Sequence, residues 1–183
     1  MKVTIFTSSP NQDGLTAACG REAEHSAIKT GAEVLYIDLN DMDVGKCSAC
    51  GNGWGNCRNN HTCQVQDGFQ KIHELISGSD MFVVVTPVYW GEMSESAKAF
   101  FDRLRRCEAL KKEASLMYGK PVIAVAAAGG SGNGTLTCLE SMERLFKHVG
   151  ATIFDLISIT QKSRSYKADT ISASVKAMIL SHK

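Results

Sequence analysis

The chain has 183 residues, a length at which one domain can bury a substantial core, and we expect a single domain over residues 1–183. Twenty Lys and Arg residues against 19 Asp and Glu residues give a formal net charge of +1, which favours neither nucleic acid nor an anionic membrane as a partner. The N-terminus lacks a secretory leader pattern and no apolar run could span a bilayer, so the sequence predicts a soluble, cytoplasmic protein.

Segments with strand character alternate with helical patterns along the chain. The predicted strands cover residues 2–7, 33–38, 81–86, 121–128 and 152–159, and the helical patterns after the second strand cover 94–107, 136–149 and 171–179. The first, third and fourth strands are near-continuous apolar runs, as expected for strands covered on both faces of a parallel sheet. This order predicts an α/β fold in which a doubly wound, five-stranded parallel sheet carries helices on both faces.

The loop after the first strand favours a phosphate. It contains Ser8, Ser9, Pro10 and Asn11, and a helix is predicted to begin near Gly14. The first amides of a helix lack intrahelical partners, and the helix dipole favours an anion there. The loop lacks both the lysine of a nucleotide-triphosphate loop and the G-x-G-x-x-G of a tight dinucleotide site. An ordinary strand-to-helix turn, capped by Ser and Asp, would have the same composition.

Two further loops follow the third and fourth strands. The first reads Thr-Pro-Val-Tyr-Trp-Gly over residues 86–91, and we expect Pro87 to end the strand and Tyr89 and Trp90 to stand at its mouth. Its free amides and ring edges suit a flat heterocycle, although the aromatic side chains could equally pack on the next helix. The second, residues 128–134, is glycine-rich, which suits either close approach to a planar ring or a flexible turn. The ends of parallel strands meet at one edge of the sheet, so all three loops should converge.

Residues 40–66 form a long segment without periodicity, which indicates a functional loop. It holds four of the seven cysteines, Cys47, Cys50, Cys57 and Cys63, in the spacing C-x2-C-x6-C-x5-C. In a reducing compartment these residues are expected to be free thiols or metal ligands, with His61 as a substitute ligand. The other three cysteines lie in helical patterns and are predicted to be buried there as small apolar side chains.

The pattern of residues 86–103 closely resembles the NADPH-dependent FMN reductase family of flavodoxin-like proteins. Those proteins typically read serine-proline-valine-tyrosine-aromatic-glycine, followed by a helix ending in lysine-alanine-phenylalanine-x-aspartate-arginine. Ser8-Ser9-Pro10 with Gly14 and Thr16 resembles the phosphate loop of the family, although Leu15 stands where many members have asparagine. The resemblance implies a flavodoxin-like domain that binds FMN.

The cysteine loop resembles the iron–sulfur flavoprotein branch of that family, in which four cysteines hold a [4Fe–4S] cluster. The branch would have its third cysteine at Gly53, whereas this chain has Cys57. The resemblance therefore leaves a cluster, zinc and free thiols beside a flavin as alternatives. If metal is bound, the ligands are Cys47, Cys50, Cys57 and Cys63.

The resemblance implies an NAD(P)H-dependent oxidoreductase. FMN would take hydride from NAD(P)H and pass electrons to a quinone, a flavin or another small acceptor, in a homodimer or homotetramer. The alternatives are an electron carrier that uses FMN and a [4Fe–4S] cluster between redox proteins, and a binding module that has lost its cofactor. No catalytic side chain is expected, because the flavin carries the chemistry. The residues expected to bind FMN are Ser8, Ser9, Pro10, Asn11, Gly14, Leu15, Thr16, Pro87, Val88, Tyr89, Trp90, Gly91, Ala128, Gly129, Gly130 and Ser131.

Helix 94–107 carries three arginines, Arg103, Arg105 and Arg106. They are expected either to form a solvated helix face or to meet the 2′-phosphate of NADPH. His73 and His148 are expected at solvated helix positions.

Overall fold

A computed structural model describes residues 1–182 of the chain. Its strands are β1 (Lys2–Thr7), β2 (Glu33–Asp38), β3 (Met81–Tyr89), β4 (Glu92–Met93), β5 (Pro121–Ala128) and β6 (Thr152–Thr160). Its α-helices are α1 (Leu15–Lys29), α2 (Cys50–Gly53), α3 (Asn56–Asn59), α4 (Gly68–Leu75), α5 (Glu95–Glu108), α6 (Thr135–His148) and α7 (Arg164–Leu180).

The strands form one twisted sheet in the order β2-β1-β3-β5-β6, with every neighbouring pair parallel. The prediction of a doubly wound parallel sheet is confirmed, and this strand order is that of the flavodoxin-like fold. A sixth strand, β4, pairs antiparallel with the end of β3. The sequence analysis did not predict β4, because two residues are too few to show a periodic pattern.

Strand β3 continues past Pro87, so the expectation that this proline ends the strand is wrong. Pro87 lies opposite Ala127 of β5, and the strand runs on to Tyr89. On its other side β1 has already ended, with Thr7 opposite Val85 as the last pair. The missing amide of the proline therefore costs no ladder hydrogen bond on that side.

Helices cover both faces of the sheet, as predicted. On one face α4, α5 and α6 enclose an aromatic cluster of fully buried rings: Phe6, Phe69, Phe82, Phe100, Phe101 and Phe146. On the other face α1 and α7 pack on the Val and Ile side chains of the central strands. Both faces of β3 and β5 are buried, which explains why these strands read as continuous apolar runs. This rigid sheet positions the loops at its carboxyl edge.

The three remaining cysteines lie in the core. Cys19 packs between α1 and the sheet, while Cys107 and Cys138 belong to the opposite face, and all three are buried. Burial raises the pKa of each of these thiols to about 12. The expectation that they act as small apolar side chains is confirmed.

Candidate functional site

The loops that follow β1, β3 and β5 meet at the carboxyl edge of the sheet. They line two adjacent cavities of about 330 and 520 Å³, which share Val88. Volumes of this size are typical of small-molecule sites. The position lies beside the β1–β3 neighbours, where the strand order of this fold reverses and where ligands are expected.

The β1–α1 loop presents the start of a 15-residue helix to this space. In the described part of the chain, no side chain caps α1 at Gly14, and its first turn carries no acidic residue. The helix start is therefore open to an anion, with the dipole favouring negative charge. Ser9 Oγ donates to the Asn11 carbonyl (2.7 Å) and accepts from the Asn11 amide (3.3 Å), which fixes the shape of the loop. Ser8 Oγ donates to Thr86 Oγ1 (3.1 Å), so it links this loop to the next strand.

The β3–β4 connection is a two-residue hairpin turn formed by Trp90 and Gly91. Both residues have positive φ, +52° and +79°, as in a type I′ turn. Trp90 is fully exposed at 103 % of its reference area, and Tyr89 is 37 % exposed. Both aromatic side chains thus remain outside the core, which disfavours the alternative that they pack on the following helix.

The β5–α6 loop approaches the β3–β4 turn backbone to backbone. A Cβ atom added at Gly134 would lie 2.9 Å from Gly91 Cα and 3.1 Å from the Gly91 nitrogen. Gly134 also has a φ of +81°, which other residues rarely adopt. The second and third loops therefore form one continuous wall of the cavity pair.

The structure brings together most of the residues predicted to bind FMN. One cavity is lined by Ser9, Pro10, Asn11, Gly14, Leu15, Thr16, Pro87, Val88, Tyr89, Gly129 and Gly130, and the other by Val88, Trp90, Gly91 and Ser131. Ser8 and Ala128 lie in the wall behind them and are buried. Their role in binding FMN stays a prediction.

Five further residues line the cavities and were missed: Ala127, Gln161, Asn133, Gly134 and Thr137. Gln161 comes from the turn after β6, where no glycine-rich or aromatic motif marks it. Asn133 and Gly134 belong to the glycine-rich loop 128–134, which the sequence analysis identified. Only its first four residues were assigned to FMN, and the assignment could have been extended to the end of the loop.

The four loop cysteines lie around a separate, small cavity of about 20 Å³. Its lining includes Cys47, Cys50, Cys57, Cys63 and Cys107. The sequence analysis assigned Cys107 to the core, and it is fully buried, but it also forms the floor beneath the loop. His61 is not among the described residues that line this cavity, so the structure does not place it as a fifth or substitute ligand.

Arg103 is buried, with only 1 % of its area exposed, so neither expectation for this residue was correct. Its guanidinium donates to both carboxylate oxygens of Asp67 (2.6 and 2.9 Å) and to the carbonyls of Gly45 (3.0 Å) and Val65 (3.1 Å). It also lies 4.5 Å above the Phe69 ring. These contacts join the two ends of the cysteine loop.

Both Asp67 and Arg103 are stabilised in their charged forms. Partial burial alone would raise the pKa of Asp67, but hydrogen bonds from Arg103 and from the Phe69 and Gly45 amides hold the pKa below its ordinary value. Burial opposes the charge of Arg103, whereas its contacts with Asp67 and Cys63 raise its pKa. The ion pair is therefore intact at neutral pH.

Arg106 holds the middle of the same loop. Its Nη1 donates to the Gly53 carbonyl at 2.5 Å, and its guanidinium lies 4.6 Å from the centroid of the Trp54 ring. The Arg58 guanidinium lies 5.7 Å from the centroid of the same Trp54 ring. The residues between Cys50 and Cys57 are thus tied to α5, which fixes where Cys57 enters the cavity.

His73 also differs from the expectation of a solvated position. Its Nε2 lies 2.7 Å from Oε1 of Glu108, whose side chain is fully buried and also accepts from Lys111 Nζ and the Leu116 amide, each at 2.7 Å. Burial would raise the pKa of Glu108, but these three contacts lower it to about 2. His148 is exposed, as expected.

The sequence pattern that defines the NADPH-dependent FMN reductase family matches residues 1–162. The chain belongs to this family. The match spans every loop described above, including the cysteine loop and the turn that carries Gln161.

Curated relatives of this family member are named iron–sulfur flavoproteins. One from Methanosarcina thermophila is 29 % identical over 134 residues, which cover 73 % of this chain and 66 % of the relative. One from Methanocaldococcus jannaschii is 30 % identical over 105 residues, covering 57 % of this chain and 52 % of the relative. The chain spans about half to two thirds of the length of these relatives.

Solved structures share the fold of this FMN reductase family member. A flavodoxin from Streptococcus pneumoniae superposes with a TM-score of 0.66 at 12 % identity, covering 99 % of both chains. The flavodoxin-like fold expected from the sequence is therefore confirmed. Within residues 1–182, none of the helices has the length and apolar character needed to cross a membrane.

The residues present in this family member fit FMN. The uncapped start of α1 offers unpaired amides for a phosphate, and Gly91 and Gly134 bring the other two loops together into one wall, because a Cβ atom at Gly134 would collide with the Gly91 backbone. Phosphate at one loop and close backbone approach at another are the two requirements of a flavin mononucleotide.

The four cysteines around the cysteine cavity have the donor chemistry of an iron–sulfur cluster. Among residues 1–182, no three His, Cys, Asp or Glu side chains are grouped closely enough to hold a single metal ion. In a [4Fe–4S] cluster each of four thiolates binds a separate iron atom, so the cysteines need to surround a space. Four loop cysteines around one cavity provide that donor set.

Proposed function

We propose that this protein is an FMN-dependent oxidoreductase that takes hydride from NAD(P)H and passes electrons to a quinone, a flavin or another small acceptor. The observation that carries the proposal is the convergence of three loops, one open to an anion and two with closely packed glycine backbones, on one pair of cavities. Membership of the NADPH-dependent FMN reductase family supports the same function.

The side chains and backbone of this chain would bind and orient the cofactor. The start of α1 binds the phosphate, because its first amides and its dipole attract an anion. The backbone of Val88, Gly91 and Gly129 approaches the ring, and Tyr89 and Trp90 flank it. FMN, when bound, supplies hydride uptake at its N5 position and electron delivery to a second acceptor.

The visible absorption spectrum of protein purified without oxygen tests this proposal. We expect two flavin bands that bleach on addition of NADPH or NADH and return when a quinone is added. The comparison of both nicotinamides under the same conditions identifies the donor. A protein that takes up no FMN would contradict the oxidoreductase and favour a cofactor-free binding module.

A second function is favoured by the cysteine cavity: an electron carrier with FMN and a [4Fe–4S] cluster that passes electrons between redox proteins. Four cysteines line one space, and two related proteins are named iron–sulfur flavoproteins. In the same spectrum a broad brown absorbance beneath the flavin bands would support it. Reduction by ferredoxin but not by NADPH would favour the carrier over the reductase.

We propose that the protein works as a homodimer or homotetramer. Trp90 is fully exposed, and Leu136, which precedes the cavity-lining Thr137, is 75 % exposed. Exposed apolar side chains of this size beside a cavity are typical of surfaces that a second subunit covers. Light scattering coupled to size-exclusion chromatography tests this, and a monomeric mass with FMN bound would contradict it.

A further inference from the structure

Arg103 has a donor that its many contacts do not use. The guanidinium contacts Asp67, Gly45 and Val65 through its two terminal nitrogens. Across the described residues, its Nε atom is buried and has no hydrogen-bond partner. A buried N–H without an acceptor is costly, and such a group in a native protein requires an explanation.

The residue that carries this unused donor lines the cysteine cavity. The Cys63 side chain lies next to the Arg103 guanidinium. A neutral thiol is a weak acceptor, whereas a thiolate bound to iron carries negative charge and is a much better one. The buried donor and the ring of cysteines therefore both indicate an anionic group in this space.

The other charged residue that lines the cysteine cavity is also positive, as an anionic group would require. Arg106 also lines it, and its guanidinium contacts the Gly53 carbonyl and the Trp54 ring. The described lining residues include two arginines and no carboxylate. Four cysteine thiolates on a cluster would bring net negative charge, which the Arg106 guanidinium would offset in part, since the charge of Arg103 is already paired with Asp67.

We propose that Arg103 is a positioning residue for a thiolate-ligated cluster: it closes the base of the cysteine loop and donates its free Nε–H to the sulfur of Cys63. This inference rests on the second of the two proposed functions, the one that includes a [4Fe–4S] cluster. It assigns a role to a helix residue that is not itself a metal ligand. Hydrogen bonds to ligand sulfurs favour the reduced, more negative cluster and so raise its reduction potential.

Three variants separate the two parts of this role. Arg103→Lys keeps a positive charge but cannot contact Asp67, two carbonyls and Cys63 at once. Asp67→Asn weakens the closure of the loop and leaves the Arg103 donor in place. Arg105→Lys is the matched control, because Arg105 lies on the same helix but does not line the cysteine cavity.

Each protein is reconstituted with iron and sulfide without oxygen and then assayed in three ways. Iron and sulfide per chain, the rate of iron loss to a chelator and the reduction potential from an electron paramagnetic resonance titration are measured. We expect Arg103→Lys to lose iron at least ten-fold faster than the wild type and to have a more negative potential. Asp67→Asn should lose iron faster with a smaller change in potential, and Arg105→Lys should match the wild type.

Two outcomes would overturn the inference. If Arg103→Lys matches Arg105→Lys in both rate and potential, or shifts the potential no more than Asp67→Asn, then Arg103 donates nothing to the sulfur. If the wild type takes up no iron and sulfide, the cluster and this role of Arg103 both fail. FMN content is measured on the same samples, so a failure of the flavin proposal is recognised separately. A variant that still binds FMN as the wild type does is also shown to be folded.

Discussion

Gly134 is the residue at which the smallest change should affect the flavin site. Its φ is +81°, and a Cβ atom there would collide with the Gly91 backbone at 2.9 Å and approach Val88 Cγ1 at 3.2 Å. We expect Gly134→Ala to push the two loops apart and weaken FMN binding at least ten-fold, or about 1.4 kcal/mol. Quenching of FMN fluorescence on titration with protein measures this.

Gly78→Ala is the matched control for that substitution. A Cβ atom at Gly78 meets nothing within 4 Å, its φ is not positive, and it lies far from the cavities in sequence and element. Its FMN affinity should equal that of the wild type. Equal affinity in all three proteins would show that the contact between the two loops does not shape the site.

Glu108 gives a prediction about pH. Its pKa is lowered from 4.5 to about 2, with burial opposed by contacts from His73, Lys111 and the Leu116 amide. A carboxyl whose pKa is depressed in the folded state stabilises the protein above its unfolded pKa, and this contribution disappears as the pH falls through the folded value. We expect Glu108→Gln to lower the free energy of unfolding at pH 7 by about 3 kcal/mol.

Urea unfolding at several pH values measures this effect. The gap between the wild type and Glu108→Gln should shrink between about pH 4.5 and pH 2, because the wild-type carboxyl becomes neutral there. Glu140→Gln is the control, since Glu140 forms an exposed pair with Arg144 that contributes little. A gap that stays constant down to pH 2 would mean that charge is not the cause.

At the scale of elements, the β3–β4 hairpin has a strained backbone at a position where another residue type would fit without strain. Position 90 has a φ of +52°, where asparagine or glycine is preferred, yet the chain has a fully exposed tryptophan there. Strain kept at a cavity mouth indicates a functional demand on the side chain. We expect Trp90→Asn to raise the free energy of unfolding by about 1 kcal/mol and to weaken FMN binding.

Trp90→Ala separates these two effects. It removes the ring but keeps a residue unsuited to this backbone conformation, so it should weaken FMN binding without a gain in stability. Thermal unfolding without FMN and FMN titration give the two quantities for each variant. If both variants bind FMN as tightly as the wild type, Trp90 does not flank the ring.

Most strands of the sheet could be predicted because the positions of a strand that are buried have apolar residues, which form a recognisable pattern in the sequence. Strands β3 and β5 are covered on both faces and therefore read as uninterrupted apolar runs. The short strand β4 and the single helical turns α2 and α3 could not be predicted, since two to four residues show no period. The loops proposed to bind FMN were singled out because glycine, proline and serine cluster at strand ends.

Arg103 shows why the rest of the site was not predicted. An arginine in a helix is usually exposed, and nothing in its neighbours in sequence suggests otherwise. Its partners Asp67 and Gly45 lie 36 and 58 residues away, and only the folded chain brings them to α5. The position of Gln161 likewise depends on the packing of β6 against β5. Contacts between residues so far apart in the sequence leave no pattern in the residues around either partner.

For the whole molecule, the site joins loops from β1, β3 and β5, with Gln161 after β6, so ligand binding should stabilise the sheet as a unit. A ligand that binds only the folded state at one hundred times its Kd adds about 2.7 kcal/mol. For a chain of this size each kcal/mol raises the Tm by about 2–4 °C. We therefore expect saturating FMN to raise the Tm by about 5–11 °C.

Differential scanning calorimetry of the FMN-free protein over a range of FMN concentrations measures this shift. The rise should follow the logarithm of FMN concentration, and Gly134→Ala should need at least ten-fold more FMN for the same Tm. Riboflavin, which lacks the phosphate, separates the contribution of α1 from that of the ring-binding loops. If riboflavin raises the Tm as much as FMN does at equal concentration, the open start of α1 does not bind the phosphate, and the anion site must be reassigned.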